Sequence, residues 1–260
     1  MTDNQAFRAL FTLPPIQASA STALTVPEMP SPKVVTGDRE IDAVLWLQEC
    51  VQTGHQVLID KALEAAKRIT TPMKDLGLRY GQYLARQHGS AMFAALGSMG
   101  FGELESQAEG AIERQRKRHL ALSRFGTEEA LFSDTPAEAA CKKALRGLKC
   151  NKSTHYLYDD DLAEERFAKK ADLLPATLAD CLYGQAYWDD LYALRSPFGS
   201  GDAPAYSYAH DSFCFGLMAK LAPRSKDEAL AVFDYMEERD ATDRMEGPAI
   251  LRNLIAGGWS

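Results

Sequence analysis

The chain has 260 residues, of which 46% are hydrophobic and 25% are charged, and its formal net charge at pH 7 is -7. This composition is typical of a soluble globular protein and excludes a collagen-like, disordered or membrane-spanning chain. The acidic balance argues against a general nucleic-acid binder, because the phosphate backbone requires a basic surface.

The first 37 residues differ in composition from the rest, since they contain five of the twelve prolines. Repeated proline interrupts helices, so we predict a flexible or extended arm over residues 1–37. The apolar residues Phe7, Leu10, Phe11 and Leu13 are the exception within the arm. A short helix or a docking peptide is the alternative there.

The sequence predicts neither a secretory signal nor a membrane span. A signal requires positive charge followed by an apolar block, whereas Asp3 comes early and Pro14 and Pro15 interrupt the apolar residues. The longest apolar stretch, residues 91–102, is shorter than the roughly 18 residues that a transmembrane helix needs. We therefore expect a cytoplasmic protein.

From residue 38 onward the patterns are helical. Asp38 is a predicted N-cap, and Thr135 followed by Pro136 is another predicted helix start. The best strand candidate, residues 154–158, is short and isolated. We therefore predict an all-α fold, a single multi-helix globular domain over residues 38–260 with about nine or ten helices. The predicted helices cover residues 38–53, 59–69, 72–88 with a continuation at 91–96, 102–124, 135–148, 159–174, 176–194, 208–221, 226–238 and 248–255.

Charge is unevenly distributed, because residues 111–152 carry a net charge of +5 and residues 153–260 carry -9. One interpretation of the basic residues is a site for an anionic partner such as nucleic acid, phosphate or an acidic protein. The alternative is a solvated helix end whose bases stabilise the helix dipole. The candidate partner-binding residues are Arg114, Arg116, Lys117, Arg118, Lys142, Lys143 and Arg146.

An acidic cluster at residues 159–161 is followed by Glu164 and Glu165. Carboxylates in such numbers suit a divalent metal or a catalytic pair, but the full calcium-loop pattern is missing. Acidic residues are also favourable in the first turn of a helix, and we prefer that interpretation.

A second acidic stretch lies among aromatic residues. Tyr187, Asp189 and Asp190 are candidates to line a pocket with His210 and Asp211, with Asp189 and His210 as an acid–base pair. Asp189, Asp190 and His210 are thus the catalytic candidates. The alternative is that aromatic residues at helical spacing form core.

The five cysteines are odd in number and widely spaced, which is typical of reduced thiols rather than a disulfide framework. Buried core cysteine is preferred over a soft-metal site or a Cys150–His155 nucleophile pair. No phosphate-binding glycine loop and no zinc-ligand spacing occurs in the sequence. We therefore predict no cofactor and no metal site.

Three segments carry a family resemblance: LTVPEMP at residues 24–30, EIDAVLWLQE at residues 40–49 and LGLRYG at residues 76–81. They resemble the KlaA (KilA) family, products of the cryptic tellurite-resistance operon of IncP-type broad-host-range plasmids. The resemblance implies a cytoplasmic plasmid accessory protein that acts with other products of its operon. It also implies links to tellurite resistance, to host-growth inhibition and to interference with the transfer of a co-resident plasmid. It supplies no catalytic residue.

The leading hypothesis is therefore a non-enzymatic helical interaction protein tied to tellurite or stress resistance, with operon products or host proteins as partners. The first alternative is an enzyme with a pocket around Asp189 and His210. The second is a nucleic-acid-associated regulator that uses the basic residues from Arg114 to Arg118.

Overall fold

The structure is a computed structural model that describes residues 2–17, 27–150, 157–199 and 201–257. The all-α prediction is confirmed, since the regular elements in these ranges are α-helices apart from a short 3₁₀ turn at Ser196–Phe198. Residues 154–156 of the strand candidate lie outside the described residues. The chain divides into two compact units: a middle unit, residues 18–120, and a terminal unit, residues 1–17 with 121–260.

The middle unit is built from helices whose starts and ends match the local sequence. Asp38 caps α2 by accepting hydrogen bonds from the backbone N–H groups of Glu40 and Ile41. Gly89 ends α4 in the left-handed conformation that glycine adopts without strain. The helices are α2 Arg39–Gln52, α3 Gln56–Ala66, α4 Met73–His88, α5 Ala91–Ser98 and most of α6 Leu104–Phe125.

The core of the middle unit lies where α2 packs against α3 and α4. Val44, Val51 and Leu76 are completely buried there. Residues 27–37 form no helix, and the backbone carbonyl of Pro30 accepts a hydrogen bond from the Trp46 indole at 2.7 Å. This part of the predicted arm is therefore attached to α2.

The terminal unit contains the remaining helices. Thr135 and Glu138 form a capping box at the start of α8, with Pro136 as the first helical residue, as the sequence predicts. Asp159 caps α9, which confirms that the acidic cluster begins a helix. The helices are α1 Gln5–Leu10, α7 Glu128–Phe132, α8 Pro136–Ala144, α9 Asp160–Ala168, α10 Leu178–Arg195, α11 Ala205–Leu217, α12 Lys226–Glu238 and α13 Gly247–Ala256.

The start of the chain differs from the flexible arm expected over residues 1–37. Residues 5–10 form α1, and Phe7 and Phe11 are buried in the core of the terminal unit. The Asn4 side chain caps α1 and also donates to the carbonyls of Ala171 and Leu174. The alternative prediction, a short helix, describes this segment better. The two buried aromatic side chains hold the helix in the core although prolines follow it in the sequence.

The helix predicted over residues 159–174 ends at Ala168. Beyond this end, the Leu173 carbonyl accepts from the ring of His210 at 3.0 Å, and the carbonyls of Ala171 and Leu174 accept from Asn4. The residues that follow the helix are therefore held by long-range hydrogen bonds.

Helix α10 is central to the terminal unit, since it contacts α1, α11 and α12. Its buried side packs in one apolar cluster with Phe7 and Phe213 and in a second with Val232 and Met236. Its remaining side chains are available to line a site. Among the described residues, no helix combines the length and the hydropathy that crossing a bilayer requires.

Candidate functional site

A pocket of about 330 Å³ opens beside α10 in the terminal unit. Helix α10 forms one wall, α11 forms another, and two arginines come from the end of α12 and the turn after it. We call it the Asp211 pocket. Its lining residues are Trp188, Asp189, Tyr192, Asp202, Ala203, Ser207, Tyr208, Asp211, Arg239 and Arg244.

The carboxylates of this pocket differ in their partners. Asp189 forms an ion pair with Arg239. The carboxylate of Asp211 has no hydrogen bond and no ion pair among the described residues, although the residue is half-buried. Burial raises the pKa of Asp211 to about 6, and the neighbouring charge of Arg244 offsets that effect only in part.

The structure does not bring Asp189 and His210 together. His210 is completely buried, with its ring stacked on Phe11 at a centroid distance of 4.6 Å. Its Nδ1 accepts from the Trp188 indole at 3.3 Å, and its Nε2 donates to the Leu173 carbonyl at 3.0 Å. Burial lowers the pKa of His210 to about 4, so the ring is neutral and both nitrogens are occupied. His210 is therefore placed as core and not as a general base.

The other two candidates from the aromatic stretch also lie outside the pocket. Tyr187 is buried, and its hydroxyl donates to Thr135 Oγ1 at 2.7 Å. Asp190 is exposed and does not line the pocket. Sequence reasoning found Asp189 and Asp211 but missed Arg239 and Arg244, which stand as two bases in an acid-rich segment.

A smaller cavity of about 130 Å³ adjoins the pocket and shares Trp188 and Tyr192 with it. Glu138 lines this cavity and accepts from Arg195 Nη1 at 2.7 Å and from the Tyr206 hydroxyl at 2.9 Å. Burial alone would raise the pKa of Glu138, but these hydrogen bonds outweigh it and hold the pKa below its usual value. The capping-box spacing from Thr135 to Glu138 was the sequence feature that could have indicated this residue.

The predicted basic residues fall in different units. Arg114, Arg116, Lys117 and Arg118 lie on α6 within the middle unit, whereas Lys142, Lys143 and Arg146 lie on or just after α8 in the terminal unit. Several have protein partners: Arg114 donates to Gln52 at 2.9 Å, Arg116 and Lys117 pair with Glu113, and Lys142 pairs with Asp134. These contacts favour the interpretation as solvated helix surface.

Four of the five cysteines are buried, and Cys150 is half-buried. Burial raises the pKa of Cys50, Cys141, Cys181 and Cys214, which disfavours the thiolate that would bind a metal. His155 lies outside the described residues, so its pairing with Cys150 stays a prediction. No cluster of three or more His, Cys, Asp or Glu that could hold a metal occurs in the described part of the chain.

The middle unit contains an open groove of about 500 Å³ between α4 and α5. The helices approach closely, since a Cβ on Gly97 would lie 2.8 Å from Leu84 Cδ1. Large apolar side chains are nevertheless exposed on this hairpin and just after it: Leu78 is 60% exposed, Met92 67%, Leu96 58% and Met99 75%. Such a concentration of exposed apolar residues is typical of an interaction surface.

Comparison with protein-family models, with curated proteins and with solved structures finds no match to this chain.

Proposed function

We propose that this chain is an interaction protein that binds an acidic amphipathic helix of a partner protein in the α4–α5 groove. The observation that carries the proposal is the exposure of Leu78 in the groove and of Met92, Leu96 and Met99 on α5 and just after it. An apolar helix requires cover on more than one side, and among the described elements only α4 makes extensive contact with α5. Methionine-rich surfaces adapt well to a partner helix.

The charges around the groove indicate the chemistry of the partner. Lys74, Leu78 and Gln82 line the groove at four-residue spacing along α4, and Arg86 follows one turn later. Lys74 and Arg86 are exposed and form no ion pair with another described residue. A partner helix with an apolar centre and acidic ends would pair with both bases while its centre contacts Leu78.

Crosslinking in the native host tests the groove directly. A photo-crosslinking amino acid at Leu78 is compared with the same amino acid at Val57, which is 50% exposed on α3 of the same unit. We expect one protein to crosslink at position 78 and not at position 57. Equal crosslinking at both positions would contradict the proposal.

Variants of the purified chain then test the chemistry with the identified partner. Leu78→Asp should weaken its binding about tenfold or more, because it places a charge in an apolar groove, whereas Val57→Asp should leave binding unchanged. Reversing both bases, with Lys74→Glu and Arg86→Glu, should also weaken binding and change its salt dependence. If the Leu78→Asp variant still binds the partner, the interaction surface lies outside the groove.

We further propose a plasmid accessory role in tellurite resistance, which is supported by the family resemblance alone. If resistance depends on the groove, cells that carry Leu78→Asp should lose it while cells that carry Val57→Asp retain it. A direct thiol mechanism is best tested with Cys150→Ser, because the other four cysteines are buried and their replacement would disturb the core. Resistance retained by Cys150→Ser would argue against chemistry at that thiol.

A further inference from the structure

We propose that the Asp211 pocket binds a small organic amine, whose ammonium group pairs with the Asp211 carboxylate. This site lies in the terminal unit and is independent of the α4–α5 groove. Its volume of about 330 Å³ is at the lower end of the range for small-molecule sites.

The first argument is that the Asp211 carboxylate has no hydrogen bond and no ion pair among the described residues. A half-buried carboxylate without a hydrogen bond is unfavourable, because it has lost hydration and gained no partner. The neighbouring Asp189 shows the usual arrangement, since it pairs with Arg239. An ammonium group that enters the pocket would supply the missing partner of Asp211.

The second argument is the charge balance of the lining. Three carboxylates, from Asp189, Asp202 and Asp211, face two guanidinium groups, from Arg239 and Arg244. Arg244 stacks 4.8 Å from the ring centroid of Phe215 and forms no ion pair within 4.0 Å among the described residues. The pocket therefore keeps an excess of negative charge that favours a cation.

The third argument is the aromatic lining. Trp188 on α10 and Tyr208 on α11 lie on the two helical walls, and Tyr192 lies one turn beyond Trp188. Aromatic faces attract cations and also pack against the methylene groups of an alkyl amine. Tyr192 is 49% exposed and Tyr208 47%, so both rings are accessible to a ligand.

Calorimetric titration of the full chain at pH 7.5 tests the site with two probes. Putrescine supplies ammonium groups only, whereas 4-aminobutyrate adds a carboxylate that suits Arg244. We expect saturable binding of at least one probe, no binding of the uncharged 1,4-butanediol, and about tenfold or greater weakening in Asp211→Asn. The matched control is Asp190→Asn, an exposed carboxylate on α10 outside the pocket, which should bind as the wild type does.

Two results would overturn the proposal: the absence of saturable binding of both probes, or undiminished binding by Asp211→Asn. A pH series on the wild type keeps the test independent of that variant. Because the pKa of Asp211 is about 6, affinity should fall between pH 7.5 and pH 5 as the carboxylate is protonated. Constant affinity over this range would also contradict the proposal. The other titratable or charged groups that face Asp211 are Asp189, Asp202, Tyr208, Tyr235, Arg239 and Arg244.

Discussion

Two regions of the terminal unit contain a carboxylate withdrawn from solvent, and the two carboxylates differ in their hydrogen-bond partners. Glu138 is 1% exposed and accepts hydrogen bonds from Arg195, Tyr206 and the backbone of Thr135. Asp211 is half-buried, and its carboxylate accepts none among the described residues. Their pKa values follow: that of Glu138 is lowered against the effect of burial, and that of Asp211 is raised by it.

The difference separates a structural carboxylate from a candidate binding group. Arg195 also donates to the carbonyls of Leu131 and Ser133, so the Glu138 network joins α10 to α7 and to the start of α8. Both carboxylate oxygens of Glu138 and all three guanidinium nitrogens of Arg195 have hydrogen-bond partners, which is the usual condition for burying an ion pair. Asp211 stabilises no such junction among the described residues, in keeping with the amine-binding role proposed for it.

The largest expected effect comes from breaking the Glu138 network. Arg195→Leu leaves Glu138 buried without its counter-charge, and we expect the free energy of unfolding to fall by about 3–5 kcal/mol at pH 7. Denaturant unfolding measures this loss. The control is Arg239→Leu, which removes the exposed partner of Asp189 and should change the free energy of unfolding little.

The pH dependence of this effect has a defined sign. The pKa of Glu138 is lowered in the folded state, so its contribution to stability is present above its ordinary pKa of 4.5 and is lost as the pH falls through the folded value. The difference between wild type and Arg195→Leu should therefore shrink in acid. An undiminished difference at low pH would show that lost packing, rather than the ion pair, explains the variant.

Removing a single hydrogen bond from the same network should have a smaller effect. Tyr206→Phe deletes the hydroxyl that donates to Glu138 at 2.9 Å, and we expect a loss of about 1.5–3 kcal/mol, the range for a hydrogen bond to a charged group. Tyr208→Phe is the matched control, because Tyr208 is exposed on the same helix. Similar losses in both variants would contradict the importance of the Glu138 contact.

Local sequence patterns predicted several helix starts of this molecule correctly. The caps at Asp38, Thr135 and Asp159 begin the helices expected of them, and the acidic cluster proved to be a helix start. Capping depends on residues within about one turn, so such features can be identified from the chain alone.

Long-range contacts limited what the sequence could reveal. Phe7 packs against α10 and α11, and Asn4 bonds to residues more than 160 positions away, which no local pattern around the prolines indicates. Removing residues 1–37 to test for an arm would therefore remove Phe7 and Phe11 from the core. No local sequence pattern indicates the pairing of Asp189 with Arg239 either, because folding is what brings α10 and α12 together.

The smallest expected effect has the opposite sign. Asp211→Asn should raise the free energy of unfolding by about 1–2 kcal/mol at pH 7, because it removes a half-buried charge without a hydrogen bond. The pKa of Asp211 is raised from 3.8 to about 6, so the wild type regains this stability as the pH falls between those values. The two proteins should converge near pH 4 in thermal or denaturant unfolding.

A loss of stability in Asp211→Asn at pH 7 would mean that attraction to Arg244 exceeds the cost of burial, and Asp211 would then resemble Glu138 after all. A gain would mean that the native residue weakens the folded chain. A gain in stability together with a loss of amine binding would indicate that Asp211 is kept for binding at the expense of stability. Groups kept for binding often reduce stability. Asp190→Asn, on the exposed side of α10, should change neither property.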